Sequence, residues 1–398
     1  MIYDWIIIGG GAAGSFAAAN LTERGQKVLL LEKGNKLMAK VKVSGGGRCN
    51  VTHQVKTTSE LIPAYPRGGK ALHNLFKAFG PKEMEAWLKE RGVLLHAESD
   101  GRMFPETNDS QTIIDCFERS ISGTRVMLSA EVIGFQKEEA YFTVNTRQST
   151  YQGKKLLLAT GGLLKGGLRE TVEALGHPFE AEVPSLFTFN LPRHPITELT
   201  GLVAENAIAS IPSSNFKSEG PILITHWGLS GPCILKLSSL AARHIAAAEN
   251  NFIVTIQWIQ DLSENEFKGW FQQHRQVHGK RKVYSHCPFE LATRLWQFLL
   301  TEAGIDPTIN WGDLNKEGLS KMIKALYHYE LNIAGKTTFK EEFVTCGGIS
   351  LASIMLKNME SKQVPGLHFA GELVDVDAIT GGYNFQFAWS SAIAAIQS

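Results

Sequence analysis

Nothing in this chain looks built to cross a bilayer or to be stapled for secretion. No apolar run approaches the roughly 18 to 20 residues that a spanning helix needs. Asp4 interrupts the N-terminal apolar run, so that run does not read as a signal peptide. The five cysteines, Cys49, Cys116, Cys233, Cys287 and Cys346, are odd in number and scattered. That argues against a disulfide framework and fits a reducing cytoplasm. The net charge of +1 provides no global field toward nucleic acid or acidic membranes, so neither is expected as a partner. No repeat or low-complexity tract is visible. His274 and His278 have i,i+4 spacing but lack a cysteine or carboxylate companion, and His286-Cys287 adds little, so no metal is expected. Nothing in the sequence fixes the oligomeric state.

What is present begins at once. Asp4-Trp5-Ile6-Ile7-Ile8 is a short apolar strand pattern, and Gly9-Gly10-Gly11-Ala12-Ala13-Gly14 follows directly. Gly9, Gly11 and Gly14 have the spacing G-x-G-x-x-G. A helix-forming stretch and a second apolar run, Lys27 to Leu31, come next, ending in Glu32. This strand-turn-helix-strand context makes a weak motif specific for a dinucleotide. Gly9 allows the tight turn, Gly11 lets the backbone approach a pyrophosphate, and Gly14 lets helix pack on strand. The helix N-terminus offers free N–H groups to the phosphates. Glu32 stands 18 residues past Gly14, where a carboxylate can accept from ribose hydroxyls.

At 398 residues the chain exceeds one typical core, so two or three domains are expected. Residues 69–91 predict two helices broken at Gly80-Pro81, and 111–122 another. Lys155 to Thr160 reads as a strand ending in Gly161-Gly162. From 187 to 345 the texture changes to short β-like runs, prolines and then helices, which reads as an insertion, β-rich over 187–260 and 328–345 and helical over 261–327. Gln272 to Ser285 is polar and basic and reads as an exposed linker. The nucleotide-domain texture returns over 346–398, so the first domain is read as 1–186 plus 346–398. Aromatic residues alternate at 383, 385, 387 and 389, which suggests a strand. Phe385, Trp389, Ala392, Ile393 and Ile396 nevertheless lie on one helical stripe, and helix is the better reading.

Glycine clusters at 9–14, 45–47 and 381–382, with 161–162 as a fourth, point to one extended ligand touched many times. FAD is such a ligand, bound noncovalently; NAD would not require the C-terminal return. The helix start at Gly381-Gly382 would aim its dipole at the flavin. The fold class is therefore α/β.

The ordering resembles flavoproteins with the glutathione-reductase type of Rossmann-like FAD domain. More narrowly, it is similar to the bacterial NAD(P)/FAD-dependent oxidoreductases of the aminoacetone-oxidase-like (YhiN-like) family, which includes a proposed bile-acid steroid reductase. The residues that carry this are Ser44 to Asn50, Gly101-Arg102-Met103-Phe104-Pro105, Thr225 to Pro232, Gly371 to Asp377 and Thr380 to Gln386. Ala378 departs from the glycine expected there. The resemblance covers nearly the whole chain. It implies an FAD domain built from both chain ends and an insertion that is part β-barrel-like and part small helical. It also implies a ligand set of Gly9, Gly11, Ala12, Ala13 and Gly14, Glu32 on the ribose with Lys33 nearby, and Val132 near adenine. Ser44, Gly45, Gly46, Gly47, Arg48, Cys49 and Asn50 would lie along the pyrophosphate and ring. Thr160, Gly161, Gly371, Glu372, Gly382, Asn384 and Gln386 would surround the rest.

No second cysteine lies within sixty residues of Cys49, which disfavours a dithiol reductase. Arg48, His226 and Tyr383 are the candidate catalytic groups: a guanidinium for an anionic substrate, an acid or base, and a substrate contact. The main expectation is hydride transfer between flavin N5 and a small organic substrate, with NAD(P)H as transient reductant, because no second dinucleotide fingerprint appears. An amine oxidase using O2, an RNA-associated or tRNA-modifying flavoprotein and a noncatalytic flavin sensor are the alternatives.

Overall fold

The computed structural model describes residues 1–337 and 344–397. They divide into two compact units, Met1–Ser185 with Phe339–Ser398, and Leu186–Thr338. Residues 338–343 of the expected β-rich stretch 328–345 lie outside the described residues. Val344 and Thr345 pair with Phe179–Ser185 inside the first unit.

The first unit is organised by strand Ile2–Ile8. Val28–Leu31 lies parallel on one side, with Arg125–Met127 beyond it. Thr150–Leu158 lies parallel on the other side, with Leu367–Phe369 beyond it. An antiparallel ribbon, Val132–Lys137 and Phe142–Thr146, runs into Thr150–Leu158. All of Val28–Leu31 is buried, which is why it reads as an unbroken apolar run: a parallel strand covered on both faces has no polar side. Helix Ala12–Glu23 packs beside the last helix, Tyr383–Ala395. Phe16 is the hub of their interface, meeting Phe79, Trp87, Phe117 and Trp389 with centroids at 4.9 to 6.0 Å. Arg24 Nη1 donates to the Ile396 carbonyl at 2.9 Å, satisfying an orphan acceptor at the end of the last helix. That helix is buried on nearly every face, from Gln386 to Ala395. Apolar residues therefore occupy positions beside the 385, 389, 392, 393 and 396 stripe as well, and the alternating aromatics mimic a strand.

The second unit contains an antiparallel sheet ordered 329–334, 251–257, 203–210, 217–225, 228–230, 188–190, 336–337. Its two edge strands are consecutive in the chain, separated only by Gly335. The Gly335 N–H donates to the Asn250 carbonyl, and its own carbonyl accepts from the Asn190 N–H, so the sheet curls into a half-barrel. Helices Glu264–His278, Thr293–Glu302 and Lys316–Tyr327 form the helical part. Phe267, Phe271, Trp296 and Trp311 are fully buried there.

The expected linker at 272–285 is instead built structure. The helix runs on to His278, and the chain after it is pinned to 309–312. The Trp311 N–H donates to Arg281 O, Gly312 N–H to Gly279 O and Val283 N–H to Ile309 O, at 2.9 to 3.0 Å. Those partners come from a distant segment, so no local pattern announced them. Among the described residues no helix is long and apolar enough to cross a membrane.

A Cβ at Gly14 would stand 1.9 Å from the Gly9 carbonyl oxygen, whereas one at Gly11 would meet nothing within 4 Å. Gly14→Ala is expected to lower the thermal midpoint by about 5 to 10 °C, and Gly11→Ala by less than about 3 °C, read by circular dichroism. Equal shifts would contradict this close packing of helix on strand.

Candidate functional site

Gly9, Glu32, Thr160 and Gly371 each follow the C-terminal end of a parallel strand. That edge is where open α/β sheets bind ligands. Gly11 caps helix Ala12–Glu23 without any side-chain hydrogen bond, so its first N–H groups face outward with the positive end of the dipole. Ala13 is buried behind them and Ala12 half-buried. Glu32 accepts from Gly10 N–H at 2.7 Å and from Gly34 N–H at 2.6 Å. The carboxylate is thus fixed over the turn, with lone pairs left for further donors. Lys33 beside it is exposed. The backbone of Glu32 and Gly34 bonds to Met127, Ser129 and Ala130, which leads into the buried Val132. Thr160 and Gly161 are half-buried at the end of their strand.

The 44–50 segment closes the next side. Helix Ala39–Gly47 breaks at Ser44, and Gly45, Gly46 and Gly47 turn left-handed. A Cβ at Gly46 or Gly47 would meet nothing within 4 Å, so the loop has bare backbone facing open space. Together with the uncapped helix at Gly11, this is the cradle that a dinucleotide requires, and the residues fit the flavin. Ser44 Oγ donates to Val41 O at 2.8 Å. Arg48 Nη1 donates to Glu98 at 2.7 Å, and its guanidinium lies 4.0 Å from the Phe104 ring centroid. Cys49 is fully buried, and desolvation pushes its thiol up to about 12, so it packs and offers no thiolate. Asn50, with its amide oriented to satisfy both ends, donates to Thr52 O and accepts from Gly382 N–H, each at 3.0 Å.

The last helix enters through Gly382, whose φ is +86°, and a Cβ there would lie 2.4 Å from Thr52 O. Next to it the Tyr383 ring stacks on His53, centroids 4.5 Å apart. His53 Nδ1 donates to the Gly381 carbonyl at 2.9 Å. Tyr65 OH donates to the Tyr383 carbonyl at 2.7 Å. The Tyr383 phenol is pushed up to about 12, first by desolvation and then by the Asp100 charge, so it keeps its proton at neutral pH.

Several expected ligand residues serve the scaffold. Glu372 is held by the Thr345 N–H at 2.8 Å and Lys40 Nζ at 2.7 Å. Gly371 N–H donates to Ser391 Oγ at 2.9 Å. Asn384 brackets both backbone groups of Ala378 at 3.0 and 3.1 Å. Ala378 is not left-handed, so the departure from glycine costs nothing. Gln386 is fully buried, with Thr52, Phe79 and Ser390 occupying its amide. These bonds give it a packing role. His226 is exposed on the second unit, edge-on to Trp227. His53 and Arg67 carried no sequence signal, because their partners Gly381 and Asp377 lie more than 300 positions away. Among the described residues no group of three His, Cys, Asp or Glu is placed to hold a metal ion.

The Asp377 side chain is fully buried and paired with Arg67, and accepts from Ser185 Oγ at 2.8 Å. Desolvation raises its carboxyl above the usual range, with Arg67 and Ser185 opposing. Arg67→Met strands that charge and should cost about 3 to 5 kcal/mol at pH 7. Protonation of Asp377 removes the stranded charge, so the deficit against the parent chain shrinks as pH falls. Denaturant unfolding at several pH values checks this; a deficit that grows toward acid would contradict it.

A family model described as HI0933-like protein Rossmann domain matches residues 3–398. The chain is 30% identical to the ribosomal RNA dihydrouridine synthase of Escherichia coli (strain K12), covering 99% of this chain and 97% of that one. It is 29% identical to the protein of the same name from Haemophilus influenzae (strain ATCC 51907 / DSM 11121 / KW20 / Rd), again over 99% and 97%. It is 24% identical to a 3-dehydro-bile acid delta(4,6)-reductase of Clostridium scindens (strain ATCC 35704 / DSM 5676 / VPI 13733 / 19), over 98% and 97%. The two relatives named for ribosomal RNA overturn the expectation that nucleic acid is excluded. The net charge of +1 sums the whole surface and is silent about where its 40 Lys and Arg and 39 Asp and Glu lie.

Proposed function

The chain belongs to the HI0933-like Rossmann-domain family and is an FAD-dependent oxidoreductase; from that premise we propose that it reduces the C5–C6 double bond of a uridine in ribosomal RNA to dihydrouridine. The observation that carries this reading is the 30% identity to a protein of that name over 99% of the chain. Bound flavin would supply a hydride-transfer centre. The chain's own groups would then do the rest.

The uncapped N–H groups after Gly11 would hold the pyrophosphate, and Glu32 the ribose. The bare backbone at Gly46 and Gly47 and the helix start at Gly382 would supply further backbone contacts to it. Reducing uracil adds a hydride at one carbon and a proton at its neighbour. Tyr383 is placed beside Gly382 with its proton retained, and His53 stacks against it with Nδ1–H fixed by Gly381. We assign the proton to this pair. Arg48 is already engaged by Glu98 and Phe104, so it shapes the wall of the site. His226 makes a ring contact with Trp227, and no role is assigned to it. With one dinucleotide fingerprint in the chain, NAD(P)H must reach the flavin transiently.

The bile-acid relative favours a second reading with the same chemistry, hydride addition to a conjugated double bond. Anaerobic stopped-flow measurements separate the two. NADPH should bleach the flavin, and a ribosomal RNA fragment should restore its colour as a uridine gains two hydrogens by mass spectrometry. Tyr383→Phe should slow that restoration about 100-fold. Restoration by an unsaturated 3-keto steroid but not by RNA would favour the second reading. Restoration by O2 alone would sink both.

A further inference from the structure

The sequence Lys280-Arg281-Lys282 is the only run of three consecutive Lys or Arg in the chain. All three side chains are exposed, and among the described residues none of them has an ion-pair partner. Their backbone is not free. It is bonded to 309–312 through Gly279, Arg281 and Val283, with Lys282 bridged antiparallel to Asn310. Arg275 Nη2 donates to Gly312 O at 2.6 Å and ties the preceding helix to the same segment. Three cations therefore project from a fixed edge whose backbone does not have to be ordered on binding, which removes part of the entropic cost.

A ladder of rings lies beside that edge. Trp270 stacks on His274 at 4.6 Å, and His274 on His286 at 5.4 Å. His278 stands 5.0 Å from His286. Desolvation, then the charges of His278, His286 and Arg281, push His274 down to about 4. That ring is uncharged at neutral pH, and Arg281 is close enough for its field to be felt there. Trp270, His278 and His286 are half-exposed. Two acids lie by this edge: Asp313, bonded to Asn310, and Asp306, held low first by hydrogen bonds from Thr308 and least by the field of Lys282.

We propose that Lys280, Arg281 and Lys282, with the adjoining Trp270 and histidine ladder, form a docking surface for the phosphate backbone of the RNA substrate. This rests on the ribosomal RNA reading above and adds where the RNA is held. Phosphates pair with the three cations, and the ring faces offer a stacking platform for an unpaired base. The rigid edge fixes the spacing of the cations, so the surface holds the RNA through its backbone and contributes little to the choice of sequence.

The test is fluorescence anisotropy of a labelled ribosomal RNA hairpin with the flavin-loaded full chain, across a salt series. The parent chain should bind with strong salt dependence. The Lys280→Ala, Arg281→Ala, Lys282→Ala triple variant should bind about tenfold or more weakly, with the salt slope reduced by about 2 to 3. A Lys280→Glu, Lys282→Glu variant should lose binding further. Flavin content and thermal midpoint report whether each variant is folded. Parent and triple variant binding alike, with equal slopes, would overturn the docking surface and leave the RNA reading intact. A parent chain that binds no RNA at any salt would overturn both.

Discussion

The fold depends on one crowded crossing, where the backbone of the first turn meets its neighbours with no side chain between them. The missing Cβ of Gly14 would stand 1.9 Å from the Gly9 carbonyl, and that of Gly9 would stand 2.3 Å from the Ala159 carbonyl. Strand Ile2–Ile8, helix Ala12–Glu23 and strand Thr150–Leu158 all converge there. Because they approach so closely, the helix start is aimed at the C-terminal edge of the sheet. Glu32, Thr160 and Gly371 reach the same edge from separate strands.

The far end of the chain completes the arrangement through equally direct contacts. Asn50 joins the Thr52 carbonyl to the Gly382 N–H, so the 44–50 loop and the last helix hold each other. Gln386 and Trp389 anchor that helix to Thr52 and Val51. Arg67 neutralises the buried Asp377 in the loop that precedes it. The result is a backbone-lined cradle whose walls come from residues more than 300 positions apart, as in the Tyr65 to Tyr383 hydrogen bond. Tyr383 and His53 sit at its far end.

Much of the cradle was legible because glycine at fixed spacing reports close backbone approach, and that is a local signal. The first turn, Glu32 and the 45–47 loop were readable for this reason. The role of Gln386 was not, because its partners Phe79 and Thr52 are set by tertiary packing. His53 gave no signal either: nothing near it in sequence marks its stacking on Tyr383. The basic stretch at 280–282 was visible but read as a linker, since its bonding partners at 309–312 come from a separate segment. Net charge was the most misleading guide, because a total near zero says nothing of three adjacent cations on one edge.

We propose that both ends of the chain hold one flavin, and amide hydrogen exchange of the chain with and without added FAD tests this. The amides of 10–15, 46–50 and 382–386 should become protected together. Protection confined to 10–15, with the last helix start exchanging unchanged, would contradict the account.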